Sequence, residues 1–150
     1  MNEAVVDLVG HESKCTEKQK RIVSKENKSS HTSVNKDHNN VRQYHIDGDV
    51  IKDQSIKKCD YLVLNDDKAT AYYIELKGSK IQEAIEQVET TEKMIRSGLK
   101  GYQSYYRIVF SGSGTHNIIQ SSVLKWQKKL GVMNKIQVAK VSRSPMEENI

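Results

Sequence analysis

Lys57-Lys-Cys-Asp60-Tyr-Leu-Val-Leu64-Asn-Asp-Asp-Lys68-Ala-Thr-Ala-Tyr72-Tyr-Ile-Glu75-Leu-Lys77 is two apolar runs around a polar tetrad. Runs of strand length, rich in Val, Ile and Tyr and split by Asn and Asp, predict a β-hairpin. A two-residue loop with Asn65 opposite Lys68 sets Leu64 against Ala69, Leu62 against Ala71 and Asp60 against Tyr73. Opposed residues share a sheet face, as do residues two apart in a strand. Asp60, Tyr73, Glu75 and Lys77 then share a face, with Glu75 diagonal to Asp60 and Cys59 on the other side with Tyr61 and Val63. A loop longer by one residue would destroy this arrangement.

Charged groups are out of place in such strands, because a sheet covered on both sides is apolar in its centre. Two neighbouring carboxylates repel unless a proton or a cation lies between them. A hard divalent ion suits them, and Mg²⁺ takes one or two carboxylates together with water and substrate phosphate. A lysine beside it can hold the attacking water or stabilise charge on phosphate.

Asp60, a gap, then Glu75-Leu76-Lys77 resembles the PD-(D/E)XK nuclease superfamily, the restriction-endonuclease-like fold that includes Holliday junction resolvases. The resemblance covers residues 41–142, with Cys59 where the family name has proline. It implies that Asp60, Glu75 and the Leu76 carbonyl ligate Mg²⁺ or Mn²⁺ and that Lys77 assists the water. It also implies a nucleic-acid substrate, DNA favoured over RNA, and a homodimer. An acidic residue before the sheet often aids the metal in this family, and Glu3, Asp7 and Glu12 are the candidates. Gln87 is the candidate for the polar residue that the family carries on the helix after the motif. Tyr73 could order a water or close the pocket, and packing explains it equally well.

At 150 residues the chain predicts one domain, 1–150, with a substantial core. Hydrophobic residues make up 36% and charged residues 29%, which predicts a soluble protein. No apolar run approaches the roughly 18 residues of a membrane span. The first residues do not read as a secretory signal, and two cysteines are too few for a disulfide framework or zinc cluster. These points predict a cytoplasmic protein without a membrane partner. The net charge of +5 permits attraction to a polyanion without demanding it.

Around the hairpin, residues 3–9 predict a short helix stopped by Gly10. Residues 11–40 are polar and predict a mobile excursion or fraying helix. The sharper alternative is a basic flap whose Lys14, Lys18, Lys20, Arg21, Lys25 and Lys28 approach phosphates. Residues 41–51 predict another hairpin about Asp47-Gly48, so Asp47 is explained by its turn before any metal role. His45 alternates with Tyr44 and Ile46 and faces away from them.

Gly78-Ser79 opens a helix, with Ser79 and Gln82 as a capping box and Gly98 as its stop. Residues 103–110 and 136–141 predict strands. The helix between them carries Ile119, Val123, Trp126 and Leu130 on one face. Residues 144–150 read as a tail. Lys57, Lys58, Lys80, Lys125 and Lys128 are candidate nucleic-acid contacts, although solvated faces also carry such charges.

The fold class expected is α/β: a central mixed four- to five-stranded sheet flanked by helices, with a restriction-endonuclease-like core. The function expected is a divalent-metal-dependent nuclease. The alternative is a catalytically inactive nuclease-fold module that binds nucleic acid or protein, because fold does not dictate function.

Overall fold

Both apolar runs of 57–77 form strands and pair antiparallel in the computed structural model, which describes residues 5–76, 80–111, 116–130 (backbone alone for 116–120) and 138–150. The elements are β1 (Arg21–Glu26), β2 (Ser29–Val34), β3 (Val41–His45), β4 (Tyr61–Asn65), β5 (Thr70–Leu76), α1 (Ile81–Ile95), β6 (Gln103–Phe110), α2 (His116–Leu130), β7 (Ala139–Arg143) and β8 (Met146–Asn149). A central five-stranded sheet has the order β3-β4-β5-β6-β7. Its first three strands are antiparallel and its last three parallel, so the sheet is mixed.

The β4–β5 register differs from expectation in an instructive way. Asn65 pairs with Thr70, Leu64 with Ala71 and Leu62 with Tyr73. The connection is therefore two residues longer than the sequence suggested. Asn65 Oδ1 accepts the Lys68 N–H inside it, and Ala69 takes a left-handed φ of 53°. A shift of two keeps every side chain on its face, where a shift of one would have reversed them. Continuing this register sets Asp60 across from Glu75 instead of Tyr73.

Sequence alternation sorts the sheet into two apolar faces. Leu62, Leu64, Ala71, Tyr73, Tyr106 and Ile108 pack under Ala84, Ile85 and Val88 of α1 and Trp126 of α2. Both helices thus lie on one face. The other face, with Val63, Tyr72, Ile74, Leu76 and Val109, packs on Ile22 and Ile150. It is covered by a second sheet, β1-β2-β8, and not by a helix.

Where the sequence predicted an excursion or fraying helix, residues 21–34 thus form a β-hairpin. β1 and β2 pair antiparallel along their full length. Their buried side chains are mainly polar, Ser24, Ser29, His31 and Ser33 beside Ile22, and this hid them from an apolar-periodicity test. Ile22→Val should cost about 1 kcal/mol in urea unfolding, the usual range for a lost buried methyl. Val23→Ala, on the outward side, should cost almost nothing. Equal, negligible effects at both positions would mean that the hairpin is not packed.

Other local expectations also change. Residues 5–9 form no helix; the Val6 N–H donates to the Met94 carbonyl at the end of α1 (2.9 Å). Asp47-Gly48 does turn, with Gly48 at φ 90°. The partner of β3 is nevertheless β4, and Ile51 makes only an isolated bridge to Asp47. Ser79 lies outside the described residues; the residue capping α1 is Lys80, without a side-chain cap hydrogen bond. Of the last predicted strand, 136 and 137 also lie outside, and β7 runs on to Arg143. The expected tail is β8, parallel to β2.

Candidate functional site

β4 and β5 place their acidic residues where the strands leave the sheet. The ladder ends at Tyr61 with Ile74, yet the Asp60 N–H also reaches the Ile74 carbonyl (3.1 Å). Two residues of one strand thus serve one of the other, a local kink of the kind bulges produce. The kink sets the Asp60 carboxyl level with the end of β5. There Oδ2 accepts the Leu76 N–H at 2.8 Å, and the Glu75 carboxyl lies close enough to influence the Asp60 pKa. Asp60 is 8% exposed and Glu75 1%.

Burial is the largest influence on Asp60 and raises its pKa above the ordinary carboxylate value. The Leu76 N–H and the Glu75 carboxyl pull it down, while the negative charges of Glu26 and Asp47 push it further up. Two neighbouring buried carboxyls repel unless a proton or a cation lies between them. The donor set therefore fits a small hard cation, for which one or two carboxylates completed by water suffice. No group of three or more His, Cys, Asp or Glu side chains suited to a metal occurs among the described residues.

Helix α1 fixes the approach to Asp60 from behind. Thr91 Oγ1 accepts the Cys59 N–H (2.9 Å) and donates to the Gln87 carbonyl (2.8 Å), and Gln87 Nε2 donates to the Lys58 carbonyl (3.2 Å). Gln87 thus holds the main chain two residues before Asp60, and its buried Oε1 has no hydrogen-bond partner. Thr91 stands four residues on, on the same stripe of the helix, which was the signal for its role. Thr91→Val strands a buried N–H and should cost about 1–3 kcal/mol. Thr91→Ser should recover most of this in the same thermal melt, and failure to recover would remove the hydroxyl from the account.

Cys59 does not lie with Tyr61 and Val63. It packs on the helix side with Leu62 and Tyr73, because the chain before Tyr61 is not extended strand. Burial, and then the Glu75 charge, push its thiol well above the ordinary value, so it is inert at neutral pH.

Tyr73 is fully buried and packs against Tyr106 in the core under α1. It is a core residue. Lys58 is 5% exposed; its ammonium donates to the Asp53 and Ile56 carbonyls and pairs with Asp47 at 3.6 Å. It ties down a loop and offers nothing to a ligand, which corrects its assignment as a contact. Lys57, Lys80, Lys125 and Lys128 are exposed, and Lys57 stands 4.0 Å from Glu83. Lys77 and Glu3 lie outside the described residues. Asp7 lines a cleft with Ile95 and Gly98 at the far end of α1. Glu12 borders a cleft of about 440 Å³ with His45 and Asp49.

Glu26 was missed. Its charge is felt at Asp60, and its carboxylate stands 3.8 Å from His45 Nε2. Nothing in a segment of mixed polar residues marked it out.

No family model, curated protein or solved structure matches this chain. The class that the fold defines is mixed α/β, a five-stranded mixed sheet with two helices packed on it. Among the described residues no helix is long and apolar enough to cross a membrane.

Proposed function

We propose that this chain is a divalent-metal-dependent nuclease that hydrolyses phosphodiester bonds, with DNA as the favoured substrate, similar to the PD-(D/E)XK superfamily. The observation that carries the reading is the contact of two buried carboxyls, Asp60 and Glu75, where β5 leaves the sheet. The β-β-β-α-β succession from β3 to β6 supports the reading in part: the core that the resemblance implies is α-β-β-β-α-β, and residues 5–9 do not supply its first helix. Both cysteines are free, which suits the reducing cytoplasm where we place it.

Asp60 and Glu75 would hold Mg²⁺ or Mn²⁺, with the Leu76 carbonyl as the third protein ligand. The ion would supply a polarised phosphate oxygen and a water of lowered pKa. Lys77, next in the chain, is assigned to the developing negative charge. The Leu76 N–H fixes the Asp60 carboxyl, and Gln87 and Thr91 fix the main chain that carries it, so the ligands are set before substrate arrives.

The test is a cleavage assay on duplex, junction and single-stranded DNA and on RNA, with Mg²⁺ or Mn²⁺ and with chelator. Metal-dependent cutting of any of them supports the reading. Salt-dependent binding without cutting would favour the inactive binding module, and neither would leave an interaction domain.

A further inference from the structure

We propose that the β1–β2 turn is this chain's grip on the nucleic-acid backbone beside the acidic pair, through the ammonium groups of Lys25 and Lys28; the inference rests on the nuclease reading. The topology brings this turn to the site. β5 and β7 run parallel to β6, so Leu76 and Arg143 end at the same end of the central sheet. β8 begins there, three residues after β7, and β2 runs parallel to it. Ser29, the start of β2, is therefore at the acidic end.

Hydrogen bonds hold the turn from two sides. The Tyr61 hydroxyl, one residue after Asp60, donates to the Lys25 carbonyl (3.0 Å). Ser144 Oγ donates to the Lys28 carbonyl (3.4 Å) and accepts the Ser30 N–H (3.0 Å). Between the lysines, Asn27 takes the left-handed φ of 51° that a tight turn needs. The main chain of both lysines is thus fixed, while their side chains are exposed and form no ion pair among the described residues.

The acidic neighbourhood explains why cations are needed here. A phosphodiester approaching Asp60 and Glu75 also meets the charge of Glu26 at the turn itself. His45 stands against Glu26, whereas Lys25 and Lys28 have no carboxylate to neutralise among the described residues and remain available to phosphate. Prepositioned ammonium groups at the rim would hold backbone phosphates that the carboxylates alone would repel.

The experiment is anisotropy of a fluorescein-labelled 20-base-pair duplex DNA with the full chain in chelator, from about 50 to 200 mM salt. Lys25→Gln with Lys28→Gln should reduce the slope of log K against log salt by about 1.8, at about 0.9 per phosphate contact, and weaken binding about tenfold or more. The control is Lys93→Gln with Lys100→Gln, which removes the same charge near the far end of α1 and should leave the slope unchanged. Melting temperatures of the variants confirm that they fold. If the wild type binds DNA and the Lys25/Lys28 variant keeps its slope, this inference fails and the nuclease reading survives. If both double variants lose slope equally, the effect is net charge and the inference also fails. A wild type that neither binds nor cuts would end both.

Discussion

Asp60→Asn should abolish metal-dependent cleavage and, without metal, make the protein more stable. The first effect should be about 10²–10³-fold or more, the scale of removing one preorganised electrostatic contact. The second follows from the raised pKa of Asp60. A carboxyl whose folded pKa lies above its unfolded value contributes fully to stability below the unfolded value, and that contribution is lost as pH rises through the folded one. At pH 7–8 the wild type therefore carries the cost of a buried, crowded acid. The Asp60→Asn variant does not, and its amide oxygen can still accept the Leu76 N–H. A gain of about 1 kcal/mol would raise the melting temperature by about 2–4 °C. The gain should shrink as pH falls through the folded value and vanish only well below the unfolded value of 3.8, where Asp60 is protonated in both states. Saturating Mg²⁺ should reverse the order, because only the wild type binds it well. Cleavage retained by the variant would overturn the nuclease reading. A melting temperature that does not rise in chelator would mean that burial imposes no cost on the ionised Asp60 carboxyl.

The acidic pair was legible because the chemistry sits on parity. Asp60 and Glu75 stayed within reach although the connection between β4 and β5 was misjudged, since an error of two residues preserves the face. Cys59 shows the limit of that rule. Alternation holds only while the chain is extended, and the kink at Asp60 ends it one residue too early. The central strands and α1 were readable from apolar spacing, because burial of Leu62, Ile74 and Val88 is what holds them in place.

The second sheet could not be read this way. Its strands bury Ser24, Ser33 and His31, and they do so by satisfying each polar group: Gln43 Nε2 donates to Ser24 Oγ at 3.0 Å, and Ser33 Oγ lies 3.3 Å from His31 Nδ1. Gln43 lies well away from Ser24 in the sequence, and the neighbouring Ser33–His31 pair leaves no apolar pattern to announce it. Met146–Asn149 is a similar case, a strand made by its pairing with β2 and by one carboxylate. The turn beside the acidic pair depends on the same sheet, so what fixes the second sheet also fixes the proposed phosphate grip.

Glu148→Gln should be the most damaging single change away from the acidic pair. Glu148 Oε2 lies 2.8 Å from Arg107 Nε and 2.6 Å from His31 Nε2, and the three side chains are at most 13% exposed. Arg107 reaches out of β6 over the stacked rings of Tyr72 and Tyr105, its guanidinium 5.3 and 5.4 Å from their centres, and donates to the Tyr106 and Val138 carbonyls. Burial tends to raise the Glu148 pKa, but His31 and Arg107 more than offset it and hold the carboxyl below its ordinary value. Neutralising Glu148 leaves a buried guanidinium without its counter-charge, a loss of about 3–5 kcal/mol. For a chain of this size that is a fall of roughly 6–20 °C in melting temperature. The sign with pH is opposite to that at Asp60. A depressed carboxyl contributes stability above its unfolded value of 4.5, and the contribution is lost as pH falls through the folded value. The difference between wild type and Glu148→Gln should therefore be full at pH 7 and narrow below about pH 4.5. Arg107→Met combined with Glu148→Leu should recover much of the loss, since replacing a whole buried pair by apolar groups is far milder than breaking it. A double variant as unstable as the sum of its single changes would show that the two sheets are joined by packing alone, and that the ion pair adds nothing to the joint.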